Sequence, residues 1–285
     1  MGEPEIRSRV RCTLGEGPLW SARDHALYWV DILAPALHRY SLGDGTTRTW
    51  GMPDTVGWVI ERAGRPGFIA GLKSGFARLT LDPFDCDVFA DPEPDRPHNR
   101  MNDAKADRFG RIWAGTMDSD MRTQSGSLYR LDADGTVTVA DSGYEVTNGP
   151  AFGRHDECMY HSDSVKRTVY RFDLSPAGAI SGKSEFIVFP QDWGYPDGMT
   201  VDSEGGLWIA HWEGGRVSRF LPDARFDRSI ALPASRITSC TFAGPGLDRL
   251  FVTSAALDRD DEPASGMLFE VRPGVRGLAT RQFAG

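Results

Sequence analysis

Two stretches, Asn102–Met117 (NDAKADRFGRIWAGTM) and Asp197–Trp212 (DGMTVDSEGGLWIAHW), carry one pattern twice. A polar residue leads, a turn rich in Gly, Asp or Arg follows, and a short β-branched or aromatic run closes the unit. The same layout occurs at Gly15 (GEGPLWSARDHALYWVDI), Gly57 (GWVIERAGRPGFIAGL), Asn148 (NGPAFGRHDECMYHSDS) and Ser239 (SCTFAGPGLDRLFVTSA). The starts fall about 41 to 49 residues apart, the period of four-stranded propeller blades.

Third runs follow at Leu37 (LHRYSL), Phe76 (FARLTL), Ser127 (SLYRLD), Thr168 (TVYRFD), Arg216 (RVSRFL) and Met267 (MLFEVR). Fourth runs such as TTRTW, CDVF, TVTVA, EFIVF and RSIAL complete five units. Short Val/Ile/Tyr/Phe-rich runs between turn residues are strands, and no long stretch shows helical periodicity. The sixth unit lacks a strong fourth run, and Glu5–Cys12 (EIRSRVRC) is expected to pair with it and close the ring. A closed ring exposes no long open edge. The expectation is all-β: one six-bladed β-propeller over residues 1–285, with four-stranded blades around a central channel. A set of β-sandwich domains with irregular loops is the competing reading. Trp29, Trp113 and Trp208 are expected at equivalent second-strand places, packing between blades.

Composition narrows the function. With 32 Lys+Arg against 40 Asp+Glu, the net charge is −8. No basic cluster offers itself to nucleic acid or an anionic membrane. The charged start, Met1–Arg11, does not read as a signal peptide, and no apolar run approaches the roughly 20 residues of a membrane helix. Cys12, Cys86, Cys158 and Cys240 are far apart and form no CxxC pair, so reduced thiols and a cytoplasmic location are expected.

Aligned on the second strands, counting back ten or eleven residues reaches Glu16, Gly57, Asn102, Asn148, Asp197 and Ser239. Innermost strands line a propeller's channel, so these positions converge on its axis. Buried carboxylates and amides need partners. Two carboxylates and an amide oxygen suit Ca²⁺, Mg²⁺ or Mn²⁺. No histidine falls on the aligned positions, which weakens a zinc site without excluding it. A metal-free network of carboxylate, amide and water is the other possibility.

The motifs GEGPLW, NRMNDAKADRFGRIWAGTM, TNGPAF, YPDGMTVDSEGGLWIAHWEGGRVSRF and TSCTFAGP, in this order, resemble the SMP-30/gluconolactonase/regucalcin-like family of six-bladed propellers. The resemblance spans nearly the whole chain. It implies lactone hydrolysis on one divalent metal (Ca, Mg, Mn, Zn or Fe(II)), held by Glu16, Asn148 and Asp197. It also implies substrate contacts at Arg100 and Asn102, with Asp103 beside them. Asp120 stands where regucalcin-related members carry Glu, and its shorter side chain leaves more room or admits a water.

The implied mechanism has the metal polarise the lactone carbonyl, while Asp197 takes a proton from water and returns it to the ring oxygen. Trp58 or Trp193 would pack the sugar ring. The partner expected is a small sugar lactone, met by a monomer or weak homo-oligomer. Two other functions stay open: a phosphotriesterase-like hydrolase, and a non-catalytic calcium-binding or regulatory propeller. Asp132–Gly135 (DADG) reads as a hairpin turn rather than a calcium loop. His98 reads as a solvent-facing loop residue, and His161 and His211 as core or channel-wall residues. No GxSxG, HExxH or P-loop pattern occurs.

Overall fold

The computed structural model describes residues 3–285. Strand β1 (Glu5–Ser8) precedes five complete blades in chain order. The first blade holds β2 (Gly15–Ser21), β3 (Ala26–Asp31), β4 (Ala36–Ser41) and β5 (Thr47–Gly51). The second holds β6 (Val56–Glu61), β7 (Phe68–Leu72), β8 (Gly75–Leu81) and β9 (Phe84–Ala90). The third holds β10 (Asn99–Ala106), β11 (Ile112–Asp118), β12 (Gly126–Leu131) and β13 (Val137–Tyr144). The fourth holds β14 (Thr147–Phe152), β15 (Cys158–Asp163), β16 (Thr168–Leu174) and β17 (Ile180–Val188). The fifth holds β18 (Tyr195–Val201), β19 (Leu207–Trp212), β20 (Arg216–Phe220) and β21 (Phe226–Ala231). The sixth sheet runs β22 (Ile237–Ala243), β23 (Arg249–Ser254), β24 (Leu268–Val271) and then β1.

Glu5 lies opposite Glu270, so the N-terminal strand closes the ring as expected. The six-bladed propeller therefore holds. The helical content among the described residues is one 3₁₀ turn, Gln191–Trp193, and no helix among them is long and apolar enough to cross a membrane. Asp132–Gly135 is the turn between β12 and β13, with the Gly135 N–H donated to Asp132 O at 2.9 Å.

The core is distributed as six apolar clusters, one at each blade boundary. Trp113, Leu128, Met159 and Phe172 join the third blade to the fourth, for example, and Trp29, Phe251 and Leu268 join the sixth to the first. Burying aromatic and aliphatic faces between adjacent blades is what holds the ring shut.

The three tryptophans are not equivalent. Trp113 and Trp208 lie opposite Arg130 and Arg219 on the third strands, and their indole N–H groups reach Asp107 at 3.0 Å and Asp202 at 2.9 Å. In the first blade that place belongs to Tyr28, opposite Arg39. Trp29 is one residue on and so faces the other side of the sheet, donating to Cys12 Sγ at 3.3 Å. A one-residue offset reverses the face in a strand.

The tail after β24 crosses the lower face instead of extending a blade. Gly277 bridges to Asp202 and Phe283 to Arg62, and the Ala284 N–H reaches Gly110 O at 3.0 Å. The end of the chain thereby ties together blades three, five and two.

Candidate active site

Each inner strand breaks register at one level. The irregularities fall between Glu16 and Leu19, Val56 and Trp58, and Met101 and Ala104. They recur between Asn148 and Ala151, Pro196 and Met199, and Ile237 and Ser239. A bulge turns side chains out of the alternating pattern and re-aims them. Here it releases Glu16, Asn102, Asn148 and Asp197 toward the axis. Small residues make the geometry possible: Gly149 sits at φ +80°, and a Cβ on Gly198 would collide with the Ser239 side chain.

Glu16, Arg100, Asn102, Asn148 and Asp197 are all buried. Glu16 and Asp197 lie near enough for each to act on the other's ionisation. Burial, and then the charge of Asp103, pushes the Glu16 carboxyl up to about 8. Burial, and then Glu16 and Asp103, drives Asp197 well above the usual carboxylate range. Two carboxyls in one dry site resist joint ionisation unless a positive charge joins them. Burial also lowers Arg100 to about 10, against the pull of Glu16 and Asp197. At neutral pH it remains a cation beside the acidic pair.

The amides are oriented by their partners. Arg100 Nη1 donates to Asn102 Oδ1 at 2.6 Å. Asn102 Nδ2 donates to Thr147 O at 2.6 Å and to Asn148 Oδ1 at 3.2 Å. Asn148 Nδ2 then donates to Ser164 Oγ at 2.9 Å, and the Ser164 hydroxyl to Pro196 O at 2.6 Å. The donors present fit a hard divalent cation: the Glu16 and Asp197 carboxylates with the Asn148 amide oxygen. Among the described residues no three His, Cys, Asp or Glu side chains gather as a cation site, so the fit relies on that amide oxygen as its third donor.

The other expected site residues have partners of their own. Asp103 accepts the Ala104 N–H at 2.7 Å and the Gly149 N–H at 2.9 Å, so it staples blade three to blade four. Asp120 lies in the loop after β11, its side chain 52% exposed and 3.3 Å from Arg122. Trp58 is buried against Phe76. Trp193 packs on Phe189, His211 and Phe220. Trp58 therefore serves packing, while Trp193 is half-buried, with part of its surface on that aromatic cluster. His98 is exposed, and His211 Nδ1 lies 2.9 Å from Trp193 O.

Two residues escaped the sequence reading. Ser164 follows β15 at the level of the amides, and its place after a second-strand run was the available signal. Glu93 takes hydrogen bonds from Arg96 at 3.1 Å, Asn99 at 2.9 Å, Thr116 at 3.1 Å and Tyr129 at 2.9 Å. It anchors the loop before β10 beside the cavity that Arg100 and Met101 border. Nothing in its Pro-rich surroundings announces this hub.

The fold and the axial donors define a class: six-bladed propellers with an oxygen-donor site in the central channel. The chain belongs to the SMP-30/Gluconolactonase/LRE-like family, which matches residues 14–256. It is 40% identical over 267 residues to a pentonolactonase of Haloferax volcanii, covering 90% of this chain and 86% of that one. It is 36% identical to a 6-deoxy-6-sulfogluconolactonase of Pseudomonas putida, covering 97% of each. A crystal structure of a calcium-binding protein, regucalcin, from Agrobacterium tumefaciens superposes with a TM-score of 0.93 at 26% identity, covering 98% of this chain and 96% of that one.

Proposed function

We propose that this chain is a divalent-cation-dependent lactonase that opens a sugar lactone to its aldonic acid. One observation carries this reading: a buried carboxylate pair, Glu16 and Asp197, lies beside an oriented amide oxygen and a buried arginine. The names of the two lactonase relatives point to the same substrate class.

Glu16, Asn148 and Asp197 would hold the cation. When bound, it supplies the positive charge that polarises the lactone carbonyl. Asp197 takes a proton from the attacking water and returns it to the ring oxygen as the ester bond breaks. Arg100, braced by Asn102, donates hydrogen bonds to sugar hydroxyls and sets their orientation. Asp103 contributes by holding Gly149, and Asp120 meets substrate only from the rim. Arg100 also donates to Met101 O and Asn102 Oδ1 at 3.1 and 2.6 Å, which holds its guanidinium in place beside the carboxylate pair.

The test is acid release from a panel of pentono- and hexonolactones and one organophosphate, with and without chelator. Chelator-sensitive opening of an aldonolactone is the expected result. Its absence across the panel overturns the proposal.

A further inference from the structure

We infer that Ser164 is the positioning residue that aims the Asn148 amide oxygen at the channel axis; the inference rests on the cation-dependent reading above. The chemistry of the neighbours fixes every direction in the chain of hydrogen bonds. Arg100 has only donors, so the atom of Asn102 facing it at 2.6 Å is the oxygen. The Asn102 nitrogen then faces Thr147 O and Asn148, and the atom it meets at 3.2 Å is the Asn148 oxygen. From the other end, Pro196 O has only lone pairs, so the Ser164 hydroxyl must give it the proton across 2.6 Å. The hydroxyl oxygen is left to accept, and the Asn148 atom beside it at 2.9 Å is the nitrogen. Both ends demand the same amide orientation.

Ser164 is also well placed to hold it. It is buried, and its own N–H is tied to Val146 O at 2.9 Å. Its hydroxyl spans the gap between β14 and β18, the strands that carry Asn148 and Asp197. Removing that hydroxyl leaves the Asn148 nitrogen without its acceptor and Pro196 O without its donor. Only the longer 3.2 Å bond from Asn102 then opposes a half-turn of the Asn148 amide, which would place an N–H where a cation needs an oxygen.

The test is calorimetric titration of chelator-treated protein with Mn²⁺ alone, together with the thermal midpoint of the metal-free chain. Ser164→Ala is expected to weaken Mn²⁺ binding by about ten- to a hundredfold, the usual effect of losing a partner that orients a ligand, while the metal-free midpoint falls by only a few degrees for the two lost buried bonds. In an Asn148→Asp background both side-chain oxygens are equivalent and nothing needs aiming, so the same serine change should have little effect. Equal Mn²⁺ affinity in Ser164→Ala and wild type overturns this inference alone. So does a loss carried in full into the Asn148→Asp background. A wild-type chain that binds no Mn²⁺, or binds it as well as Asp197→Ala does, overturns the axial-cation reading and this inference with it.

Discussion

Asn102 Nδ2 donates to Asn148 Oδ1 across the boundary between the third and fourth blades, 3.2 Å away. The same Asn102 accepts from Arg100 at 2.6 Å. One side chain thus links the arginine assigned to substrate with the amide assigned to the cation. In the proposed lactonase, orientation of the substrate and presentation of the third donor would share a single support.

Asn102→Asp tests that link. A carboxylate keeps an acceptor for Arg100 but has no N–H for Thr147 O or Asn148 Oδ1, and it adds a negative group beside the acidic pair. Losing the donors of a buried network costs on the order of 2–4 kcal/mol. Steady-state assays should show kcat/KM reduced by about 30- to 10³-fold. A variant within threefold of wild type would show that the link carries no catalytic weight.

Asp197→Asn and Arg100→Ala should separate chemistry from binding. The first removes the proton acceptor and is expected to lower kcat by about 10²- to 10⁴-fold. The second removes hydroxyl contacts and is expected to act mainly on KM. Acid release followed at constant pH, corrected for spontaneous ring opening, gives both constants. Near wild-type kcat in Asp197→Asn would remove it from the role of base.

How much of this was legible beforehand follows from which forces act locally. Repeat spacing exposed the blades because each needs the same strand pattern to cover its neighbours. It placed Glu16, Asn148 and Asp197 at one level because the bulges recur at one level. Side-chain direction was less accessible. Counting along the chain put Asp103 beside Asn102, but the bulge between Met101 and Ala104 sends their side chains to different partners. Trp29 was placed one residue out of phase, since composition alone does not reveal the face. The closing tail was invisible, because it has no strand pattern and is held by isolated bridges to Asp202 and Arg62.

His161 makes a pH-dependent prediction away from the site. It is fully buried against Tyr144, with ring centroids 4.7 Å apart, and neither ring nitrogen has a protein partner. Burial lowers its pKa from 6.5 to about 3, with Asp141 raising it and Lys183 lowering it. Below pH 6.5 the unfolded chain binds a proton that the folded chain refuses, so this residue costs stability as pH falls. The raised carboxyls of Glu16 and Asp197 act in the opposite sense, so the comparison must be between variants. His161→Leu should gain on wild type by about 2 kcal/mol between pH 7 and pH 5, beyond any constant offset. Urea unfolding at the two pH values measures it, and a constant difference would rule out the histidine as the cause.

Phe283 anchors the tail between blades two and three. Its ring is buried with Ile60, Ile112 and Tyr129, and its backbone N–H and C=O bond Glu61 and Ala63 at 2.8 and 2.7 Å. Phe283→Ala keeps those backbone bonds but opens a cavity between blades two and three. Such a truncation costs about 3–5 kcal/mol, lowering the melting temperature by roughly 5–15 °C. The inner strands run from the axial donors down to the cavity that Leu278 and Thr280 help to close. The tail therefore meets the channel at the end away from Arg100. KM should hold at temperatures where the variant stays folded. A rise in KM without a loss of stability would mean that the tail shapes the substrate site through the channel, rather than bracing the ring.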